Sequence, residues 1–269
     1  MGQKSFFELS AFFRALFLVF SAVVYTVLLG PPASVSSFLD RSGRWPSFFQ
    51  RLWVSCLLRT NGIHLNLKGI ENLKRDKSYI LASNHASILD ILGIISAAPF
   101  SVRFIAKKSL VWFPIFGWFL YAAKHILLDR GRATSAFKSL REASSLLKRG
   151  ISIIVFPEGT RSPDGEVKEF KRGAFLLARH SKFPIVPVSI TGTYEMLPRH
   201  GWCFRPGTMR IRMAEPIPAE SPSHRESKDL IRMVRETIIG NLNHGGGEQG
   251  LEFAGQGEMP NEAVQENQC

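Results

Sequence analysis

A histidine and an aspartate five residues apart, His85 and Asp90, have the side-chain types of a general base and the group that orients it. Within one regular helix, five residues correspond to a rotation of about 500°, which places the two side chains on different faces. They can meet if a strand ends near Asn84 and a helix begins near Ser87, with Ser87 as the N-cap, because a first-turn aspartate can then reach back to the imidazole. The spacing fits equally well a capping histidine and a first-turn acid with no joint role, and both interpretations stay open.

A second polar stretch, residues 157–162 (PEGTRS), follows the apolar run 151–156. Charged residues in a glycine-containing loop at a strand end are typical of ligand contacts in α/β proteins. Gly159 would let the backbone approach a ligand closely, and Arg161 carries a planar fork suited to phosphate. An ordinary polar turn is the alternative.

Two further cations, Lys107 and Arg130, lie at the ends of the apolar runs 102–106 and 125–130. Lys107 as a point charge and Arg130 as a planar fork would suit binding of a phosphate. The alternative is that both are solvated charges at strand ends. The predicted helix between them, residues 111–122, is apolar nearly all round, which indicates either burial or contact with lipid and acyl chains.

The elements that must position these residues alternate along the chain between apolar, β-branched runs and helical patterns. This alternation predicts an α/β fold, which we expect to be a mixed central sheet flanked by helices, with function at the strand ends. Strands are predicted at residues 63–68, 78–83, 102–106, 125–130, 151–156, 185–190 and 208–214. Helices are predicted at residues 87–97, 111–122, 134–149, 170–181 and 225–242.

The charge balance indicates a polyanionic partner. The chain has 34 Lys+Arg against 22 Asp+Glu, a net charge of +12, although its last residues from His244 onward contain glutamates and no Lys or Arg. Such a charge suits binding to nucleic acid or to an anionic membrane surface. A basic, solvated surface without a partner is the alternative. The chain has three scattered cysteines, too few for a disulfide framework or a thiolate metal site, which favours a reducing compartment.

The N-terminal residues favour a membrane over nucleic acid. Residues 15–30 are a charge-free run that ends at Gly30-Pro31-Pro32, just short of the about 17–25 residues of a spanning helix. Residues 45–59 have the pattern of an interfacial amphipathic helix. We therefore predict a membrane-associated helical pair over residues 1–60, an α/β domain over 61–243 and a disordered acidic tail over 244–269.

Four sequence blocks stand in order between about residues 65 and 215. They are Asn84-His85 with Asp90; Lys107-Lys108-Ser109-Leu110 with Pro114, Gly117, Trp118 and Leu128-Asp129-Arg130; Phe156-Pro157-Glu158-Gly159-Thr160-Arg161-Ser162; and Val186-Pro187-Val188. Together they resemble the glycerolipid acyltransferase family, specifically its 1-acyl-sn-glycerol-3-phosphate (lysophosphatidic acid) acyltransferase branch.

The resemblance implies transfer of a fatty acyl group from acyl-CoA or acyl carrier protein to the sn-2 hydroxyl of 1-acyl-sn-glycerol-3-phosphate, giving phosphatidic acid. It implies no metal and no cofactor, and a place at the cytoplasmic face of the cell membrane. His85 would be the base and Asp90 would orient it. Acceptor binding is assigned to Glu158, Gly159, Thr160 and Arg161, with Lys107 and Arg130 assisting at the phosphate.

Three alternatives stay open. The same chemistry could act on another acceptor, such as glycerol-3-phosphate or a lyso-ornithine lipid, although the cations Lys107, Arg130 and Arg161 favour a phosphate. Hydrolysis with Ser83 or Ser87 as nucleophile is a second alternative, but the sequence has no G-x-S-x-G elbow. A non-catalytic lipid-binding membrane protein is the third.

Overall fold

The computed structural model describes residues 2–40, 43–112, 117, 120, 125–129, 133–199, 203–220 and 227–247. Its centre is a seven-stranded sheet in the order β1-β7-β6-β2-β5-β3-β4. The strands are β1 (Ile63–Lys68), β2 (Ile80–Ser83), β3 (Val102–Lys107), β4 (Ile126–Leu128), β5 (Ser152–Val155), β6 (Ile185–Thr191) and β7 (Gly207–Met213). Each lies where the sequence predicts a strand, with small differences at the ends.

The sheet is mixed, as predicted. Strand β7 pairs antiparallel with β6, and the other described pairings between the seven strands are parallel. The central strands are buried on both faces, which is why they read as continuous apolar runs. Because β2, β5, β3 and β6 run in one direction, their carboxyl ends meet at one edge of the sheet.

Helices cover both faces of the sheet. They are α1 (Gly2–Leu39), α2 (Arg44–Thr60), α3 (Leu89–Ala97), α4 (Ala133–Lys148), α5 (Gly173–Ser181), α6 (Thr193–Met196) and α7 (Ser227–Gly247). Leu81 of β2 packs with α2 and α3, whereas its neighbours Ile80 and Ala82 pack with α4, α5 and α7. The alternation of side chains along a strand therefore divides the core into two layers.

For two predicted helices, the structure either differs from the prediction or describes only part of the predicted range. Of the predicted helix 111–122, the described residues are the end of a 3₁₀ helix at Lys108–Trp112 and the helical positions 117 and 120. Helix α7 continues to Gly247, past the predicted end at 242, because its terminal glycines permit helical backbone even though they do not favour it. The disordered tail was predicted from residue 244, but residues 244–247 are the end of this helix, and residues 248–269 lie outside the described residues.

Helix α1 does not end at Gly30 as the sequence suggested, but continues through Pro31 and Pro32 to Leu39. Each proline removes one backbone donor from the helix. Ala33 and Ser37 beyond the prolines are nevertheless buried, so packing maintains the helix past them. Residues 9–39 form the one described helix that is long and apolar enough, by length and composition alone, to cross a membrane.

The inner face of α1 is made of small residues, and polar side chains attach it to α2. Trp53 Nε1 donates a hydrogen bond to Thr26 Oγ1 at 3.0 Å, and the Tyr25 and Thr60 hydroxyls are 2.6 Å apart. The outer face carries exposed large apolar side chains, of which Phe20 and Leu28 are more than 60% exposed. An apolar face of this size is typical of contact with lipid.

Helix α2 belongs to the same core as the sheet. Its residues Trp53, Val54 and Leu57 are buried in the cluster that contains Leu81. Beside them lies the buried side chain of Arg103 from β3. It donates hydrogen bonds to Ser47 Oγ at 3.1 Å, to Gln50 Oε1 at 3.4 Å and to its neighbour's carbonyl, Val102 O, at 2.8 Å.

Burial, together with the charges of Arg149 and Arg51, lowers the pKa of Arg103 to about 10, so the guanidinium still carries its charge at neutral pH. A buried charge is costly unless its hydrogen bonds are satisfied. Two of the acceptors, Ser47 and Gln50, are supplied by α2. Helix α2 is therefore fixed to β3 by polar as well as apolar contacts.

Candidate active site

The predicted contact between His85 and Asp90 is confirmed. Strand β2 ends at Ser83, the chain turns, and His85 Nδ1 lies 2.9 Å from Asp90 Oδ2 in the first turn of α3. The same oxygen accepts the backbone N–H groups of Ala86 and Ser87, each at 2.8 Å. An ionised carboxylate can only accept hydrogen bonds, so the imidazole proton is on Nδ1 and Nε2 carries a lone pair.

The predicted N-cap at Ser87 is wrong in detail. Helix α3 begins at Leu89 and its preceding residue is Ile88. The Ser87 hydroxyl accepts the Leu89 N–H at a long 3.3 Å while donating to Leu197 O at 2.7 Å. The tertiary contact with the segment after α6 draws this hydroxyl away from an ideal capping position.

The imidazole of His85 is fixed in orientation but partly open. It stacks on the ring of Phe156, which follows β5, with centroids 3.9 Å apart and planes 20° apart. Its side chain is 13% exposed. Among the described residues no hydrogen-bond partner faces Nε2, so this nitrogen is available to a substrate.

Glu158 holds the loop 156–162 against the histidine. Its Oε1 accepts the His85 N–H at 2.8 Å, and its Oε2 accepts the Lys168 N–H at 3.3 Å. Ser162 N donates to His85 O at 2.7 Å, so the loop binds both backbone groups of the histidine. Desolvation raises the pKa of Glu158, and the two backbone hydrogen bonds oppose that rise. The geometry gives Glu158 a positioning role, and its direct contact with an acceptor stays a prediction.

Gly159 adopts a left-handed conformation, with φ of 77°. A Cβ at this position would lie 2.8 Å from Lys171 Nζ, so the lysine side chain lies directly over the loop. Lys171 belongs to none of the four sequence blocks, although the basic stretch Lys171-Arg172 soon after the loop was a usable signal. Thr160, beside Gly159, is partly buried.

Arg161 is partly buried beside the His85 turn. Desolvation, and next the charge of Arg199, lower its pKa, while the charge of Asp90 acts in the opposite direction. Arg199 Nη1 donates a hydrogen bond to Arg161 O at 3.0 Å. Within the described part of the chain, no carboxylate forms an ion pair with either arginine. Two cations are therefore close together without an ion-pair partner among the described residues, although the charge of Asp90 is near enough to act on Arg161.

The structure describes the other two residues predicted to bind phosphate, Lys107 and Arg130, only in part or not at all. Lys107 is the last residue of β3, so its backbone lies at the same edge of the sheet as the ends of β2 and β5. Arg130 lies outside the described residues. Their predicted contacts with a phosphate stay predictions.

His125 is buried directly before β4 rather than inside the strand. Its Nδ1 accepts the Phe104 N–H at 3.3 Å, and its ring packs on that of Phe104. Burial, and next the charge of Arg103, hold its pKa well below the usual value, so it is neutral. In the described ranges, no three His, Cys, Asp or Glu side chains are grouped as a metal site requires.

Comparisons with known proteins show which family this chain resembles. A model of the acyltransferase family matches residues 64–191. A 1-acyl-sn-glycerol-3-phosphate acyltransferase from Limnanthes douglasii is 34% identical over 182 residues, 67% of this chain and 64% of the relative. The alpha form of that enzyme from Homo sapiens is 32% identical over 179 residues, 66% of this chain and 63% of the relative.

A solved structure is also similar. The crystal structure of the 1-acyl-sn-glycerophosphate (LPA) acyltransferase PlsC from Thermotoga maritima has a TM-score of 0.76 and 29% sequence identity, and the match covers 93% of this chain and 99% of that one. The chain spans somewhat less than two thirds of the length of the two curated relatives. Motifs, fold and relatives agree, and we conclude that this chain belongs to the acyltransferase family that includes the 1-acyl-sn-glycerol-3-phosphate acyltransferases.

Proposed function

We propose that this protein transfers a fatty acyl group from an acyl thioester to the sn-2 hydroxyl of 1-acyl-sn-glycerol-3-phosphate, giving phosphatidic acid. The observation that carries the proposal is the pairing of His85 Nδ1 with Asp90 Oδ2, which leaves Nε2 open at a sheet edge. The names of the similar proteins support this choice of reaction and acceptor.

In the proposed mechanism, His85 Nε2 removes the proton from the sn-2 hydroxyl as the oxygen attacks the thioester carbonyl. Asp90 holds the imidazole in the required tautomer and stabilises the imidazolium that forms. The tetrahedral intermediate then collapses, the carbon–sulfur bond breaks, and the imidazolium returns its proton to the thiolate. The products are an ester and a free thiol, so the step balances without an acyl-enzyme.

The co-substrates follow from this balance. The thioester, either acyl-CoA or acyl carrier protein, supplies an already activated acyl group, and no further cofactor enters the proposal. The acceptor is a membrane phospholipid, and the basic chain and the apolar outer face of α1 suit an anionic membrane surface. We place the protein at the cytoplasmic face of the cell membrane, where both donors occur.

Hydrolysis through a serine nucleophile has little support from the site. The Ser83 hydroxyl donates to the neighbouring carbonyl Asn84 O at 3.0 Å, and its residue is fully buried. The Ser87 hydroxyl donates to Leu197 O at 2.7 Å. Neither hydroxyl directs its proton to His85, as an activated nucleophile must.

The proposal is tested by assaying the purified full chain against a panel of acceptors with each donor. The acceptors are 1-acyl-sn-glycerol-3-phosphate, glycerol-3-phosphate and lyso-ornithine lipid, and the donors are acyl-CoA and acyl carrier protein. We expect acyl transfer to the first acceptor, with the product carrying the new chain at sn-2. Release of free fatty acid without ester formation, or transfer to another acceptor alone, would contradict the proposal.

Replacing Arg161 by alanine is expected to raise KM for 1-acyl-sn-glycerol-3-phosphate by about 10- to 100-fold, because a charge-assisted hydrogen bond to phosphate is worth about 1.5–3 kcal/mol. The KM for the acyl donor should change little. Steady-state kinetics with each substrate varied in turn measure both values. Arg210→Ala, a strand residue of β7, is the matched control, and an unchanged acceptor KM in Arg161→Ala would remove this residue from the phosphate site.

Placing two charges on the outer face of α1, as Phe20→Glu with Leu28→Glu, is expected to weaken binding to anionic phospholipid vesicles by about tenfold or more. A charged side chain in the apolar region of a bilayer costs about 2.5–3.5 kcal/mol at the centre and less near the interface. Both residues point away from the core, so the fold should persist. Vesicle sedimentation measures the binding.

The matched control for vesicle binding is Phe137→Glu. Phe137 is 68% exposed but lies on α4, away from the N-terminal helices. We expect this variant to sediment with vesicles like the unmodified protein. Equal losses of binding in both variants would contradict docking through α1.

A further inference from the structure

Arg199 lies outside all four sequence blocks, yet the structure places its segment against the candidate active site. Its neighbour Leu197 accepts the Ser87 hydroxyl through its carbonyl at 2.7 Å, which joins this segment to the His85 turn. Arg199 Nη1 donates to Arg161 O at 3.0 Å. Ser162, the next residue after Arg161, donates its N–H to His85 O at 2.7 Å. Arg161 and Arg199 therefore reach the same turn from two separate loops.

The two guanidinium groups carry like charges and repel one another, because the Arg199 side chain extends to the backbone of Arg161. A guanidinium has five N–H donors, and the described contacts of Arg199 use one of its nitrogens, Nη1. Neither arginine has an ion-pair partner among the described residues, while both are partly buried. Desolvation, and next the charge of Arg199, lower the pKa of Arg161, while the charge of Asp90 acts in the opposite direction. A doubly charged anion between them would relieve this repulsion and use the remaining donors.

We propose that Arg199 and Arg161 together bind the phosphate of the acceptor as a dianion, so that Arg199 selects phosphate monoesters over phosphodiesters. This inference rests on the proposed function, because it concerns the headgroup of the same acceptor. A monoester carries about −1.5 to −2 charges at pH 7 and has three unesterified oxygens, and its second pKa is about 6. A phosphodiester carries one charge and two such oxygens, which two guanidinium forks cannot both engage bidentately.

The alternative role for Arg199 is structural. Its hydrogen bond to Arg161 O could simply hold the loop, in which case losing it would disturb the site regardless of the ligand's charge. The two roles differ in what they depend on. If Arg199 binds the phosphate, the effect of replacing it depends on the charge of the phosphate. If its hydrogen bond is only structural, the effect is the same at either charge.

Arg199→Gln removes the charge and keeps a donor that can reach a carbonyl, and Arg199→Lys keeps the charge but loses the fork. We expect Arg199→Gln to raise KM for 1-acyl-sn-glycerol-3-phosphate by about 10- to 100-fold, with kcat nearly unchanged, and Arg199→Lys to recover part of the loss. Arg205→Gln, an exposed arginine six residues further along, is the matched control and should leave both constants unchanged.

The pH dependence separates the two roles. The ratio of kcat/KM for the unmodified protein to that for Arg199→Gln should rise with pH through the second phosphate pKa of about 6, because the second negative charge appears there. Any pH effect that is common to both proteins cancels in the ratio. A ratio that is the same at every pH would overturn the proposal in favour of the structural role.

A binding measurement keeps this inference separate from the proposed function. In the background of His85→Ala, calorimetry in detergent micelles measures affinity for 1-acyl-sn-glycerol-3-phosphate and for lysophosphatidylglycerol, a diester. We expect the added Arg199→Gln change to weaken binding of the monoester and to leave that of the diester unaltered. Equal losses for both lipids, or none, would overturn the inference, whereas absence of acyl transfer in the unmodified protein would overturn only the proposed function.

Discussion

Replacing His85 by alanine is expected to lower kcat for acyl transfer by about 10²- to 10⁴-fold, the usual contribution of a positioned general base. The reason is the open Nε2, which is the proton acceptor in the proposed attack. The acceptor's phosphate contacts do not involve the imidazole, so KM for 1-acyl-sn-glycerol-3-phosphate should change far less than kcat. A single-turnover assay with labelled acyl-CoA measures the chemical step directly.

The control for this substitution is His180→Ala. His180 is an exposed histidine on α5 and should be replaceable without effect on kcat. Loss of the His85 ring also removes its stacking on Phe156, so thermal unfolding must confirm that the variant folds. A well-folded His85→Ala protein with kcat near that of the unmodified enzyme would exclude His85 as the base.

Replacing Asp90 by asparagine is expected to lower kcat by up to about 10⁴-fold while largely preserving the fold, as is found for other histidine–aspartate pairs. The amide keeps an oxygen that can accept the N–H groups of Ala86 and Ser87, which Asp90 Oδ2 now accepts. It brings no negative charge, so it cannot stabilise the imidazolium. In the opposite rotamer the amide NH2 takes the place of Oδ2 and donates to Nδ1, which moves the ring proton to Nε2 and blocks that nitrogen. That rotamer leaves the two N–H groups without their acceptor.

Asp90→Ala provides the contrast that separates catalysis from stability. It leaves two buried N–H groups without their acceptor, each at a cost of about 1–3 kcal/mol, so the melting temperature should fall clearly. Kinetic assays and thermal unfolding of both variants distinguish the two roles. If Asp90→Asn proved as active as the unmodified protein, the carboxylate would be only a structural group of the turn.

The arrangement of His85 and Asp90 could be predicted from sequence because it is local. Their spacing fails inside a helix and succeeds across a strand-to-helix turn, and the β-branched run before Asn84 identifies the strand. The central strands were predictable for a related reason, since parallel strands buried on both faces are apolar throughout. Both inferences depend on neighbouring residues alone.

The contacts that sequence reasoning missed join distant parts of the chain. Glu158 looked like a ligand-binding acid, but it accepts the N–H of a residue 73 positions earlier. Arg199 belongs to none of the four sequence blocks, and its partner Arg161 is 38 positions away. The prolines of α1 suggested the end of the helix, but packing beyond them maintains it to Leu39. Such contacts depend on how the loops meet in three dimensions, which no local pattern encodes.

The polar attachment of α2 to Arg103 has a consequence for how the protein is made. Gln50 is synthesised 53 residues before the arginine that it contacts, so α2 leaves the ribosome long before its partner strand exists. Strand β1 can pair only after still more of the chain has been synthesised, because its partner β7 lies near the other end of the chain. A nascent chain whose α1 has already entered the bilayer would complete its sheet there. We therefore expect the catalytic unit to assemble at the membrane surface rather than fold first and dock afterwards.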